Sequence, residues 1–186
     1  MVGLHQLWLP ILLAAVFVFI ASSLIHMFSP WHKSDYRAVA NQDHAMEVLR
    51  SLNLALGDYL LPRPSSMEEL RSPAFIEKMK AGPRVIMTIM PQGSVGMGKQ
   101  LTSWFVYCLV VNVFAGYIAG RALPAGTEYL QVFRFIGATA FIAYAVALWQ
   151  MSIWYSRSWS TTIKSTFDGL VYACLTAGTF GWLWPR

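Results

Sequence analysis

Four long apolar stretches, separated by more polar segments, dominate the pattern of residues along the chain. They run from about Leu7 to Phe28, Thr102 to Gly120, Phe135 to Tyr155 and Ser165 to Trp184. A helix needs about 20 predominantly apolar residues to cross the hydrocarbon core of a bilayer, and each stretch is close to that length. The sequence therefore predicts an all-α membrane protein in which four transmembrane helices form a bundle.

Residues 29–101, between the first and second stretches, hold most of the charged side chains. Helix-start signals occur at Asp43, at Ser66 with Glu three positions later, and at Ser72 followed by proline. The run from Arg84 to Met90, ended by a proline, is typical of a strand. We expect a small α/β insertion outside the membrane, with two or three short helices and up to two strands.

Small side chains recur at helical spacing in the second and fourth stretches. Such stripes let helix backbones approach closely, which drives helix association in lipid, where burial of large apolar groups gains little. The predicted packing residues are Gly116 and Gly120 in the second stretch and Gly169, Ala173, Ala177 and Gly181 in the fourth. These stripes predict close contacts within one chain or between copies.

The number and position of charged residues refine the prediction of a membrane protein. Charged residues make up 12% of the 186-residue chain, against roughly 25% in an average soluble domain. The net charge is +5, but the basic residues flank the apolar stretches and are not interleaved with exposed aromatics, so nucleic-acid binding is not expected. The partners expected are membrane lipids.

The placement of basic residues predicts an orientation. Basic residues close to the stretches are more numerous on the side that carries residues 29–101, and such residues mark the cytoplasmic side. They are Lys33, Arg37, Arg84, Lys99, Arg157 and Lys164 on that side, against Arg121, Arg134 and Arg186 on the other. We therefore expect a multi-pass protein of a bacterial inner membrane, with residues 29–101 in the cytoplasm and both termini outside.

One glycine-rich segment has the spacing of a phosphate-binding loop. Gly93, Gly98 and Lys99 occupy the three fixed positions of the seven-residue pattern G-x-x-x-x-G-K. At the eighth position, where a Ser or Thr would reach Mg²⁺, the chain has Gln100. The segment therefore has two interpretations. One is a hinge whose lysine extends to the membrane surface, and the other is a site for phosphate or a lipid headgroup.

Histidines cluster at the end of the first stretch. His26, His32 and Asp35 are candidate ligands for Zn²⁺ or Cu²⁺, with His44 as a further candidate. However, Pro30 interrupts the helix between the two histidines, so helical spacing alone does not bring them together. Anchoring at the membrane interface explains the histidines without a metal, and no metal or other cofactor is expected.

A carboxylate about one turn inside the fourth stretch marks a possible polar site. Asp168 follows Lys164 by four residues, so it could pair near the interface with Lys164, or with Arg157. Unpaired, a carboxylate at such a depth is costly and indicates function. Asn112 and Gln150 are the other polar groups of this set, and interhelical hydrogen bonding also explains them.

No arrangement of nucleophile and base is evident, and the protein is not expected to be an enzyme. The function predicted first is a scaffold or accessory subunit that packs into a larger membrane assembly, which could be a homo-oligomer. The alternative is a small channel or transporter lined by Asp168, Asn112 and Gln150. An activity built on the glycine-rich loop ranks third.

Overall fold

The computed structural model describes residues 1–93 and 96–186, and Ser94 and Val95 lie outside the described residues. The chain divides into two compact units. One, here called the helical unit, comprises Met1–Tyr36 and Gly96–Arg186, and the other, the small unit, is Arg37–Val95.

Most of the chain, about 68%, is helical. In chain order the elements are α1 (Trp8–Phe28), α2 (Gln42–Ser51), β1 (Gly57–Leu61), α3 (Met67–Arg71), α4 (Pro73–Ala81), β2 (Val85–Ile89), α5 (Gly98–Ala122), α6 (Tyr129–Tyr144), α7 (Trp149–Tyr155) and α8 (Trp159–Trp182). The prediction of a mostly helical chain with a small α/β part is confirmed.

Within residues 1–93 and 96–186, three segments are long and apolar enough to cross a membrane. They are Trp8–Phe28, Gly98–Ala122 and Tyr129–Tyr155, the last of which joins α6 and α7. This is compatible with an integral membrane protein.

Several helices begin earlier than their apolar stretches. α5 starts at Gly98 and α8 at Trp159, so each gains a polar first turn that hydropathy alone does not indicate. The third stretch is not one regular helix. After Tyr144 the backbone of Ala145 leaves the helical region, and a single 3₁₀ turn, Val146–Leu148, leads into α7.

The helices of the helical unit pack against one another, with α8 against both α1 and α6, and α5 against both α1 and α6. The small residues of α8 lie at the contact with α6. A Cβ added to Gly169 would lie 2.8 Å from Cβ of Ala145, and one added to Gly181 would lie 2.7 Å from the Tyr129 ring. Ala173 and Ala177 are buried in the same unit.

Gly116 and Gly120, the small residues predicted in the second apolar stretch, lie at the end of the helical unit that holds the N-terminus. Gly116 lies against Phe180 and Leu7, and the Gly120 carbonyl accepts a hydrogen bond of 2.9 Å from the Val2 amide. A Cβ on Gly120 would collide with the Val2 carbonyl oxygen. We call this region the closed end, and it also includes the hydrogen bond from the Trp184 indole to the Pro124 carbonyl.

The small unit holds a two-stranded antiparallel sheet in which Gly57 of β1 pairs with Ile89 of β2. Ser66 and Ser72 cap α3 and α4, each accepting a hydrogen bond from a backbone amide of the first turn. The expected cap at Asp43 is wrong, because Asn41 caps α2 and Asp43 lies inside its first turn. Among the described residues of this unit, only the Phe75 side chain is a fully buried apolar group.

Candidate functional site

A cavity of about 550 Å³ opens at the end of the helical unit opposite the closed end. Its walls come from α1, α5 and α8 and from residues 144–148. Apolar and aromatic side chains form most of the lining, and polar groups lie at one end. The lining includes Ser22, His26, Met27, Leu101, Trp104, Tyr107, Tyr144, Leu148, Ser165, Asp168 and Tyr172.

Four large aromatic side chains hold the helices apart around the cavity. Trp104 stacks on Tyr107 with ring centroids 5.3 Å apart, and its indole N–H donates a 2.7 Å hydrogen bond to Ser22 Oγ on α1. The ring of Tyr172 in α8 lies edge-on to that of Tyr144 in α6, with ring centroids 5.7 Å apart. Rings of this size keep backbones further apart than glycine and alanine do, so the cavity forms here and not at the closed end.

The polar end of the cavity begins where α1 stops. Ser29 ends the helix, its hydroxyl accepts a hydrogen bond from the Trp31 amide, and Pro30 opens a 3₁₀ turn, Pro30–His32. This turn brings His32 back over α1, where its ring stacks on His26 with centroids 4.5 Å apart and planes within 6°. The proline that separates the histidines in sequence therefore begins the turn that stacks them.

His32 connects the end of α1 to α8 through two carboxylates. Its Nδ1 lies 2.7 Å from Asp35 Oδ2, and its Nε2 lies 2.8 Å from Asp168 Oδ2. Lys164 makes a second connection, donating hydrogen bonds of 3.0 Å to Asp35 Oδ1 and 2.8 Å to Ser34 Oγ. Lys164 is therefore paired with Asp35, and Asp168 with His32.

This network keeps Asp35 ionised. Burial by itself raises the pKa of the Asp35 carboxyl, but the hydrogen bonds and positive charges of His32 and Lys164 together outweigh it. The pKa of Asp35 therefore lies below its ordinary value of 3.8. At neutral pH Asp35 is an acceptor for both neighbours.

The same cluster places three metal-ligating side chains together. His26, His32 and Asp168 each offer one ligand atom, and these atoms lie within 4.8 Å of one another. Asp168 is buried and His26 is exposed. The set differs from the candidates expected from the sequence, because Asp168 takes the place of Asp35, and Asp35 contacts the far nitrogen of the His32 ring. His44 lies in the small unit.

The other members of the expected polar site do not join Asp168. Asn112 is buried in α5, where its amide donates to the Cys108 carbonyl at 2.8 Å and lies 3.5 Å from the Tyr144 hydroxyl. Gln150 is exposed on α7 and does not line the cavity. Asp168 and Lys164 belong to the His32 network, and Asn112 and Gln150 lie outside it.

The glycine-rich segment is divided between the two units. Gly93 belongs to the small unit, whereas Gly98 and Lys99 begin α5 in the helical unit. Ser94 and Val95, in the middle of the predicted phosphate loop, lie outside the described residues. The phosphate or headgroup interpretation stays a prediction.

Sequence reasoning missed the pairing of His32 with Asp168, which are 136 residues apart. One signal was available. The predicted orientation puts the end of α1 and the start of α8 on the same side of the membrane, so their charged groups lie at similar depth. No protein-family model, curated protein or solved structure matches this chain.

Proposed function

We propose that this protein is an integral membrane protein that binds a small amphipathic molecule in the cavity beside His26 and Asp168. The cavity itself carries the proposal. Its volume of about 550 Å³ is typical of ligand sites, which are concave, mostly apolar and equipped with a few placed polar groups. The lining here has that composition.

The lining indicates the chemistry of the ligand. Leu101, Trp104 and Leu148 offer contacts for an apolar body, and His26 and Asp168 offer hydrogen bonds to a polar group. The Tyr172 ring also lines the cavity, and its buried hydroxyl has no hydrogen-bond partner among the described residues. A buried hydroxyl without a partner is costly, and a polar group or water in the cavity would offset that cost.

The proposal includes the four-helix frame expected from the sequence. In it α8 is the fourth membrane helix, with Lys164 and Asp168 in its early turns near the interface, where their charges are tolerated. Residues 29–101 lie in the cytoplasm, so the cavity opens in the cytoplasmic half of the membrane.

A scaffold or subunit role stays a prediction, as does assembly into a homo-oligomer. The small residues that suggested it meet partners inside the chain, since Gly169 and Gly181 contact α6 and Gly120 contacts Val2. They therefore do not require a second copy. We propose binding without catalysis: no hydrogen bond joins a serine hydroxyl of the cavity to a histidine ring in the described part of the chain.

A channel or transporter is the second candidate, and the position of Asp168 on the cavity favours it. A carboxylate in a wet intramembrane site concentrates cations. The test is ion flux into liposomes that carry the parent or Asp168→Asn. We expect no flux above that of empty vesicles, whereas a parent flux abolished by the substitution would favour the channel.

The binding proposal is tested by filling the cavity. Ser165→Phe puts a ring at the polar end, and Ser103→Phe is the matched control on an exposed face of α5 outside the lining. Native mass spectrometry of gently extracted parent should show a bound small molecule of discrete mass. The Ser165→Phe protein should lose it and the Ser103→Phe protein should keep it.

The proposal fails on either of two results. One is a parent that carries no discrete adduct and also binds neither of two added probes, an alkyl amine and an alkyl carboxylate of equal chain length. The other is an adduct that both phenylalanine variants retain equally.

A further inference from the structure

We propose that His26, His32 and Asp168 bind a divalent transition-metal ion at the polar end of the cavity. The proposal goes beyond ligand binding and does not require an organic molecule in the cavity. It starts from the three ligand atoms, which lie within 4.8 Å of one another although they come from the end of α1, the following turn and α8.

Hydrogen bonds at the far side of each imidazole direct the remaining nitrogen to the cluster. His26 Nδ1 lies 2.9 Å from the Ser22 carbonyl oxygen, which can only accept, so Nδ1 carries the proton and Nε2 keeps its lone pair. His32 Nδ1 likewise donates to Asp35 at 2.7 Å. Histidine ligands of metals almost always make such a bond to a carbonyl or carboxylate, which sets the tautomer.

The charges of the cluster also call for a cation. Two carboxylates, Asp35 and Asp168, meet at the His32 ring. Lys164 pairs with Asp35, whereas Asp168, whose side chain is only 6% exposed, lies against His32 Nε2. A buried charge without compensation is strongly unfavourable. An ion held by His26, His32 and Asp168 places positive charge directly against that carboxylate.

Binding requires a small closure of the site. Zinc–ligand bonds of about 2.0–2.1 Å in tetrahedral geometry put ligand atoms roughly 3.3 Å apart. The imidazole planes are now nearly parallel at 6°, so their in-plane lone pairs do not converge. His26 is exposed in the last turn of α1 and can turn its ring toward the ion, whereas His32 and Asp168 are already in contact.

The donor set selects the class of metal. Two imidazole nitrogens and one carboxylate oxygen suit Zn²⁺ and first-row ions such as Fe²⁺, whereas Ca²⁺ and Mg²⁺ prefer oxygen ligands alone. Three protein ligands leave at least one coordination position open. His26 and Asp168 both line the cavity, so a molecule in the cavity can reach that position.

The test is zinc binding by the full-length protein, purified in detergent and stripped of metal by chelation. We expect one Zn²⁺ per chain by elemental analysis and by calorimetric titration. His26→Gln should weaken zinc binding by at least about 100-fold, and Asp35→Asn by about 10–100-fold, the usual effect of losing an outer partner of a metal-bound histidine. The matched control is His44→Gln, in the small unit, which should bind like the parent.

Parent protein alone provides a second measurement that does not depend on how variants fold. X-ray absorption spectroscopy of the zinc-loaded protein should show two imidazole ligands at about 2.0 Å. Fewer than two imidazoles would overturn the proposal. So would a parent that binds less than one zinc per chain, or a His26→Gln protein that binds zinc as tightly as the parent. Cavity binding is measured separately, so either proposal can fail alone.

Discussion

The two ends of the helical unit are built from the same helices but are packed in opposite ways. At the closed end, Gly116 and Gly120 let α5 lie against Leu7, Phe180 and the backbone of Val2. At the other end, Trp104 and Tyr172 occupy the equivalent space between α5 and α8, and a cavity of about 550 Å³ remains.

Charged side chains also differ between the cavity end and the closed end. The His32 network lies at the cavity end, where Lys164 and two carboxylates connect α8 to the residues after α1. The closed end relies on apolar contacts, backbone hydrogen bonds and the hydrogen bond from the Trp184 indole. Tight packing thus fixes the helices at one end, which leaves the other end free to hold polar groups around an open space. The comparison suggests that stability is concentrated at the first end and binding at the second.

The largest effect on stability is expected at the closed end. Gly120→Ala should destabilise the protein by about 1–3 kcal/mol, because the new methyl group meets the Val2 carbonyl oxygen and disturbs its backbone. This exceeds the gain of up to about 1 kcal/mol from alanine's higher helix propensity. The measurement is unfolding of the detergent-solubilised protein by heat and by denaturant.

Gly178→Ala is the matched control for that substitution. A Cβ at Gly178 would lie 3.6 Å from the Tyr129 hydroxyl, an ordinary contact, so this variant should be as stable as the parent or more so. Equal stabilities for the two alanine variants would show that the closed end is not tightly packed.

At the cavity end, the expected effect is smaller and depends on pH. Asp35→Asn should destabilise the protein by about 1–2 kcal/mol near neutral pH, through weaker hydrogen bonds to His32 and Lys164. The folded-state pKa of Asp35 is below 3.8, so its stabilising effect is complete above that value and is lost as the pH falls through the folded-state pKa.

The stability gap between parent and Asp35→Asn should therefore shrink below about pH 4. The stability gap between parent and Gly120→Ala should stay constant, because the contact of residue 120 with the Val2 carbonyl involves no titrating group. Parallel unfolding curves from neutral to acidic pH measure both gaps. A gap for Asp35→Asn that stays constant to the lowest pH at which the protein folds would contradict the ionised network.

Filling the cavity should reduce the stability of the protein less than Gly120→Ala or Asp35→Asn does. Ser165→Phe should change the free energy of unfolding by less than about 1 kcal/mol. The ring enters open space, and the lost hydroxyl bonds, among the described residues, only to the Thr161 carbonyl of its own helix. Thermal unfolding is again the measurement. A loss as large as that of Gly120→Ala would mean that this end is packed as tightly as the other.

The last prediction concerns the sides of the membrane and involves no change in stability. Single cysteines at Ala125, beside the closed end, and at Ser158, just before α8, are placed in a chain without Cys108 and Cys174. In intact cells an impermeant maleimide should label the first and not the second, because the orientation that we propose from the excess of basic residues has the cavity end in the cytoplasm. The reverse labelling pattern would invert the proposed orientation.

Local features of the sequence determined where the first apolar helix lies and which serines cap α3 and α4. The apolar run of α1 and the serine caps at Ser66 and Ser72 depend on residues within a few positions of one another, and the structure has them close to where the pattern puts them. The same reasoning was less accurate where polar residues extend an apolar helix. Lys99 and Gln100 continue α5 outward because a helix does not end where hydropathy falls.

The candidate site could be predicted only in pieces. The sequence marked His26 and His32 as candidate metal ligands and Lys164 and Asp168 as a possible polar site, since a carboxylate inside an apolar stretch needs a partner. It offered Lys164 or Arg157 as a partner for Asp168, whereas in the structure Lys164 donates to Asp35. Spacing along one helix gives only the partners on that helix, and the competing partner lies 129 residues away.

Only the tertiary structure decided that the site exists as a unit. The turn after Pro30 returns His32 to α1, and the packing of α1 against α8 sets Asp168 opposite it at 2.8 Å. The cavity beside them results from large rings on helices whose opposite ends are held together by glycine. The individual residues can be identified in the sequence. Whether they come together depends on how the helices pack, because a long-range contact is a property of two elements and not of either stretch alone.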